Sequence, residues 1–89
     1  MSDAENLLLE KRLRVFLDKD HALRDIIGYL CQNYNVGDKI PSERDLDIEV
    51  GYSRTKVREA LIRLDCFGYI DISHGKANRL LKSFKAVLE

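Results

Sequence analysis

The sequence predicts a small, mainly α-helical domain that carries one β-hairpin, an α+β fold class. Three observations support this prediction. Apolar residues recur at helical spacings of three and four through most of the chain. Serine or aspartate precedes several of these segments and glycine follows others, as is typical of helix ends. An alternating stretch, residues 69–73, then indicates a strand, because alternate strand residues point to opposite faces.

A first helix is expected over residues 5–17. Its apolar face comprises Leu9, Leu13, Phe16 and Leu17. A helix this short is marginal in water on its own, so this face needs a partner surface. We expect Phe16 and Leu17 to pack near Leu23 and Ile27 of the same domain, and pairing with a second copy of the chain is the alternative.

A second helix is expected from an N-cap at Asp20 to about Tyr34. Its apolar face comprises Leu23, Ile26, Ile27, Leu30 and Tyr34, a spacing that fits a helix and excludes a strand. Turn-forming residues follow at 35–38. Residues 39–40 are expected to be extended, because the residue before a proline avoids the α region.

Two short helices then follow in quick succession. Ser42 caps the first, and Asp45 three residues later completes a capping box. Gly51 ends this helix, and Ser53 caps the next, which is expected over about residues 54–67. Its inward face comprises Val57, Ala60, Leu61 and Leu64. Two helices joined by so short a turn form a helix-turn-helix.

A hairpin is expected directly after the last of these helices. Residues 69–73 form the first strand, with Ile70 and Ile72 facing the core, and residues 78–81 return as the second. A helix-turn-helix followed by such a hairpin is a winged helix-turn-helix, here preceded by an extra N-terminal helix.

The chain divides into three segments. Residues 1–19 form an N-terminal helical extension, residues 20–81 the winged helix-turn-helix domain, and residues 82–89 a linker or the start of a C-terminal domain. One domain is expected, since separate cores usually need roughly 100 residues each.

The net charge is zero but unevenly distributed. Residues 1–53 carry seven basic and eleven acidic side chains, whereas residues 54–89 carry eight basic and four acidic ones. The basic half includes Arg54, Lys56 and Arg58 at the start of the second helix of the helix-turn-helix. DNA readers of this architecture insert the start of that helix into the major groove, where arginine bonds two acceptors on a guanine. The pattern therefore predicts duplex DNA binding, and a solvated basic face is the alternative.

No catalytic residue and no metal site is expected. The sequence contains no nucleophile with a suitably spaced base and no glycine-rich phosphate loop, which argues against an enzyme. His21, His74, Cys31 and Cys66 are too few and too scattered for a metal ion. We expect both cysteines to be buried thiols of a protein in a reducing cytosol.

A cytoplasmic location without membrane insertion is expected. No apolar run approaches the roughly 20 residues that span a bilayer. Asp3 and Glu5 stand where a signal peptide carries basic residues.

Three blocks of sequence resemble the signature of the GntR family of bacterial transcription regulators. They read P-S-E-R-D-L at 41–46, G-Y-S-R-T-K-V-R-E-A-L at 51–61 and G-Y-I at 68–70. The resemblance covers about residues 20–81. It implies a winged helix-turn-helix whose recognition helix, about 54–67, lies in the major groove and whose wing, 73–77, reaches the minor groove.

The resemblance also implies which residues contact DNA. They are Arg44, Ser53, Arg54, Thr55, Lys56, Arg58, His74, Gly75 and Lys76. Lys56 departs from the small polar residue often found at its position, and we expect it to contact phosphate. The wing tip resembles the H-G-K tip of the fatty-acid-responsive member, although His74 is alternatively a solvated turn residue. Arg63, two turns beyond Arg54, is expected at the DNA backbone or merely at the surface.

Partners follow from the same resemblance. Full-length members are homodimers that bind a palindromic operator, and a C-terminal domain binds a small-molecule effector. No such domain follows Leu81 here, so we expect a monomer or weak dimer with no cofactor. The alternative is a winged helix used for protein–protein contact, which would not need the clustered basic residues.

Overall fold

The structure is a computed structural model that describes residues 3–72 and 77–88. Its elements, in chain order, are α1 (Asp3–Lys19), α2 (His21–Asn33), α3 (Glu43–Val50), α4 (Arg54–Cys66), β1 (Ile70–Asp71), β2 (Arg79–Leu80) and α5 (Lys85–Leu88). The two strands pair antiparallel. A mainly helical chain with one small hairpin confirms the predicted fold class, and α3, α4 and the hairpin follow one another as in a winged helix-turn-helix.

The N-terminal helix α1 packs on its own domain, against α2 and α5. Leu17 is buried in one core with Leu23 and Ile27, as expected. Phe16 does not join them: it remains 36% exposed, and its ring centroid lies 6.0 Å from that of Phe67. One residue step turns a helical side chain by roughly 100°, so Phe16 faces α4 while its neighbour faces α2.

The core lies where α2, α3 and α4 meet. Its fully buried side chains there are Ile26, Leu30, Leu46, Val57 and Leu64, together with nearly buried Leu61. The residues of α2 and α4 in this set fall on the apolar faces that the sequence predicts for those helices. Burial of this shared surface fixes α3 and α4 relative to each other and to α2.

Asp20 and Ser42 cap the first turns of α2 and α3 as predicted, but the reciprocal bond of the predicted capping box differs, because Asp45 accepts from the Ser42 hydroxyl and not from the Ser42 backbone N–H. Asp20 Oδ1 accepts a hydrogen bond from the Leu23 backbone N–H at 3.1 Å. Ser42 Oγ accepts from the Asp45 N–H at 3.2 Å, and the Ser42 hydroxyl donates to Asp45 Oδ2 at 3.1 Å. These caps stabilise helix starts whose N–H groups have no partner within the helix.

Gly68 ends helix α4 in the left-handed region, with φ of 79°. Its N–H donates to the Asp65 carbonyl, and the Tyr69 N–H donates to the Leu64 carbonyl. This pair of bonds is a Schellman motif, which favours glycine because a side chain is strained at that φ. The motif also accounts for a departure from strand alternation, since Tyr69 and Ile70 are both buried.

The hairpin is shorter than predicted but is joined by a third segment. Ile70 pairs with Leu80, and Lys39 forms an isolated bridge with Arg79. The Ile40 N–H donates to the Asn78 carbonyl at 2.9 Å. The extended residues before α3 therefore form one edge of the base of the wing.

The segment after β2 packs against the rest of the domain. Phe84 and Val87 are 1% and 4% exposed. The Phe84 ring stacks on Tyr69, with centroids 5.0 Å apart and planes 14° apart. The Arg14 guanidinium donates to the Ala86 carbonyl and so links α1 to α5.

The prediction of two buried thiols is wrong. Cys31 is half-buried and Cys66 is exposed, because the face of α4 that bears Cys66 is left uncovered in this domain. Among the residues that the structure describes, no group of histidine, cysteine and acidic side chains is arranged to hold a metal ion. Nor does the described part of the chain contain a helix long and apolar enough to cross a membrane.

Candidate nucleic-acid interface

The helix-turn-helix is formed by α3, the turn at residues 51–53, and α4. Gly51 ends α3 with φ of 78°, a left-handed conformation that lets the chain reverse within three residues. α3 and α4 pack closely against each other, and α4 also packs against α2. This arrangement exposes the first turns of α4 beside the outer side of α3.

Tyr52 anchors the turn to α2. Its hydroxyl donates to Asp25 Oδ2 at 2.5 Å. This hydrogen bond, with a smaller contribution from burial, raises the pKa of Tyr52 above its ordinary value. Sequence reasoning missed the interaction, because no local pattern shows that Tyr52 and Asp25 meet.

The start of α4 presents polar groups to solvent. Ser53 Oγ accepts a hydrogen bond from the Lys56 N–H at 3.3 Å, so the predicted cap is present. Thr55 and Lys56 are exposed, and Lys56 makes no side-chain hydrogen bond or ion pair with the residues that the structure describes. A helix N-terminus with unpaired N–H groups and a nearby lysine attracts anionic groups such as phosphate.

The two candidate base-reading arginines are each held by an acidic residue of α3. Arg54 Nε lies 3.6 Å from Asp47 Oδ2. Arg58 Nε donates a hydrogen bond to Glu43 Oε2 at 3.1 Å, and this bond raises the pKa of Arg58 above its ordinary value. The sequence contained a signal for both pairs: two acids one turn apart on α3 precede two arginines one turn apart on α4.

The remaining predicted residues are placed as follows. Arg44 is exposed on α3, and within the described ranges its guanidinium has no hydrogen-bond or ion-pair partner. The wing residues His74, Gly75 and Lys76 lie outside the described residues. The base of the wing is described, and there Arg79 Nη1 donates to the Gly37 carbonyl at 3.0 Å.

Arg63 has a packing role that the sequence did not predict. Its guanidinium lies 4.0 Å above the Phe16 ring and 3.6 Å from Asp20 Oδ2. These contacts join the end of α1 and the start of α2 to the last turn of α4. Arg63 therefore contributes to the packing of the domain, and its contact with the DNA backbone stays a prediction.

A comparison with models of known protein families shows which family the chain belongs to. The model of the bacterial regulatory proteins of the gntR family matches residues 22–80, which contain the whole helix-turn-helix and both strands. The chain belongs to the GntR family. This result confirms the resemblance inferred from the sequence blocks. Membership in the GntR family identifies the chain as the DNA-binding domain of a transcription regulator.

Several GntR-type regulators share parts of the sequence. The Exu regulon transcriptional regulator of Escherichia coli strain K12 is 50% identical over 42 residues, or 47% of this chain and 16% of that protein. The Fatty acid metabolism regulator protein of Haemophilus influenzae strain PittEE is 43% identical over 47 residues, or 53% of this chain and 20% of that protein. The chain thus spans about a fifth or less of the curated relatives it matches.

A solved GntR structure supports the fold. A GntR family transcriptional regulator from Listeria monocytogenes superposes with a TM-score of 0.55 and 19% sequence identity, covering 89% of this chain and 62% of the other. At this identity the match concerns the fold alone.

Proposed function

We propose that the chain binds duplex DNA sequence-specifically, with α4 in the major groove and the wing, residues 73–77, at the minor groove. The observation that carries the proposal is the placement of Arg54 and Arg58 on the exposed outer side of α4, 59% and 63% exposed. Both stand near the N-terminal end of the helix, the part that reads base edges in helix-turn-helix proteins.

The other predicted residues fit supporting roles. Ser53, Thr55 and Lys56 surround the start of α4, where backbone N–H groups favour phosphate. Arg44 on α3 extends the basic surface, and Lys76 adds a cation in the wing. Phosphate contacts of this kind set position and affinity, whereas contacts to base edges set specificity.

We further propose that the protein acts in the cytoplasm on operator DNA. In this proposal a full-length homodimer binds two half-sites, and a small-molecule effector acts through a C-terminal domain. The chain described here then binds a single half-site as a monomer or weak dimer. Burial of Leu13 and Leu17 within one domain supports this, because it leaves less of the α1 face for a second copy.

The test begins by selecting bound sites from random duplexes and measuring affinity by fluorescence anisotropy over a range of salt concentrations. Each phosphate neutralised is expected to add roughly 0.9 to the slope of log affinity against log salt. A slope near zero, or no enriched site, would contradict the proposal and favour a protein-binding winged helix.

Variants then separate base reading from phosphate binding. Arg54→Ala and Arg58→Ala are expected to weaken the selected site by about 1–3 kcal/mol more than random DNA. Lys76→Ala is expected to weaken both equally. Arg12→Ala, which removes the same charge from the exposed side of α1, is the matched control and is expected to change neither strongly. If Arg54→Ala and Arg58→Ala weaken the selected site and random DNA equally, as Lys76→Ala is expected to do, direct base reading by the arginines is excluded.

A further inference from the structure

Both candidate base-reading arginines contact carboxylates whose side chains are less exposed than those of the arginines. Glu43 and Asp47 stand one turn apart on α3, and Arg58 and Arg54 stand one turn apart on α4. The side chains of Glu43 and Asp47 are 26% and 17% exposed, whereas those of their arginine partners are 63% and 59% exposed. Each acid therefore lies beneath its arginine, between the two helices.

The acids use the inner nitrogen of each guanidinium. In both pairs the shortest approach is to Nε, at 3.1 Å for Arg58 and 3.6 Å for Arg54. Within the described part of the chain, neither arginine donates a hydrogen bond through Nη1 or Nη2. Two terminal nitrogens on a planar group are the donors that match the O6 and N7 acceptors of guanine.

Stability does not explain these pairs well. Ion pairs between side chains this exposed contribute little to folding, since water screens the charges. Their effect on binding is larger in principle, because an arginine already held in one orientation loses less conformational freedom when it bonds a base.

The same carboxylates are also expected to weaken binding to DNA that lacks the preferred bases. A negative charge near the duplex repels phosphate, so each acid weakens binding wherever its arginine finds no guanine to bond. At a site with the preferred bases, the bidentate contact between arginine and guanine offsets the repulsion between carboxylate and phosphate. Specificity increases when competing partners are penalised as well as when the right one is favoured.

We propose that Glu43 and Asp47 are specificity-determining positioning residues, which hold Arg58 and Arg54 for end-on reading of base edges. This inference rests on the proposed DNA-binding function. In this proposal the two acids strengthen binding to a selected site and weaken binding to random duplex.

The experiment measures the ratio of affinities for a selected site and for random duplex in Glu43→Gln, Asp47→Asn and the double variant. Each single change is expected to tighten binding to random DNA and to lower the ratio by up to about fivefold, the equivalent of one exposed ion pair. The double variant is expected to lower it further than either single change, by up to about 25-fold if the two free energies add.

Glu49→Gln is the matched control, because it removes the same charge from the exposed side of α3 without touching either arginine. It is expected to shift both affinities together and leave the ratio unchanged. Combining Glu43→Gln with Arg58→Ala gives a second test: once the arginine is absent, the change at Glu43 should no longer alter the ratio. Melting curves establish that each variant folds.

The outcomes separate this inference from the proposed function. A wild-type chain that binds no duplex refutes the function and the inference together. Specific binding with the same ratio in Glu43→Gln, Asp47→Asn and Glu49→Gln overturns the inference alone. A lowered ratio that persists in the Arg58→Ala background also overturns it, since the acid would then act without its arginine.

Discussion

Replacing Phe84 with alanine tests whether the residues after the hairpin belong to the folded domain. Phe84 is 1% exposed, and its ring stacks on Tyr69 at 5.0 Å, although the sequence predicts a linker or the start of a C-terminal domain here. If residues 82–88 are structural, the substitution removes a large apolar side chain from the core and leaves a cavity beside Tyr69.

The expected cost follows from that burial. A buried phenylalanine replaced by alanine costs about 3–5 kcal/mol, which includes the lost transfer energy and the cavity. A domain of 89 residues has a total unfolding free energy of about 4–13 kcal/mol. The variant is therefore expected to lose roughly a quarter or more of its stability and to melt more than about 10 °C lower.

Thermal and urea unfolding followed by circular dichroism measure this loss. Leu88→Ala, on the short helix α5 that directly follows Phe84, is the matched control, because its side chain is 42% exposed and its removal should change little. Equal melting temperatures for Phe84→Ala and the wild type would refute the reasoning and make residues 82–89 a linker after all.

Three further predictions concern stability and assembly. Leu61→Ala is expected to lower the free energy of unfolding by about 2–5 kcal/mol, because Leu61 is buried. Ile62→Ala, at an exposed neighbouring position, is expected to lower it far less. Similar losses for both variants would mean that the buried face of α4 is misassigned. Tyr52→Phe removes the bond to Asp25 that raises the tyrosine's pKa above 10.0. That bond stabilises the fold fully below pH 10 and is lost as pH rises through the raised value, so the difference in melting temperature between wild type and variant should shrink in alkali. Sedimentation over a range of concentrations is expected to show a monomer, and a stable dimer would contradict it.

The sequence predicted those parts of the fold that depend on neighbouring residues. The caps at Asp20, Ser42 and Ser53 and the glycine that ends α4 are local signals, each read within a few positions. The exposed Cys66 could not be predicted, because whether a helix face is covered depends on distant elements. Burial of Phe84 was missed as well. It depends on contact with distant Tyr69, and the three apolar residues near this end of the sequence form no clear period that predicts it.

The sequence predicted the basic residues of the candidate site but not the residues that hold them in place. The basic residues at the start of α4 followed from charge, capping and the family resemblance. Their partners Glu43 and Asp47 were not predicted as such, because a pairing between helices depends on the crossing geometry. The bond between Tyr52 and Asp25 joins residues 27 positions apart, so local reasoning had no access to it.

The backbone bridge between Lys39 and Arg79 has a consequence for how binding preference can change. Ser42, which caps α3, follows this bridge after only two residues, so the start of α3 and the base of the wing are tied through main-chain bonds. Main-chain bonds do not depend on side-chain identity. Under the proposed binding mode, residues on the outer side of α4 are exchangeable on a fixed scaffold: substitution there alters which sequence is preferred, while the spacing between helix and wing along the duplex stays the same.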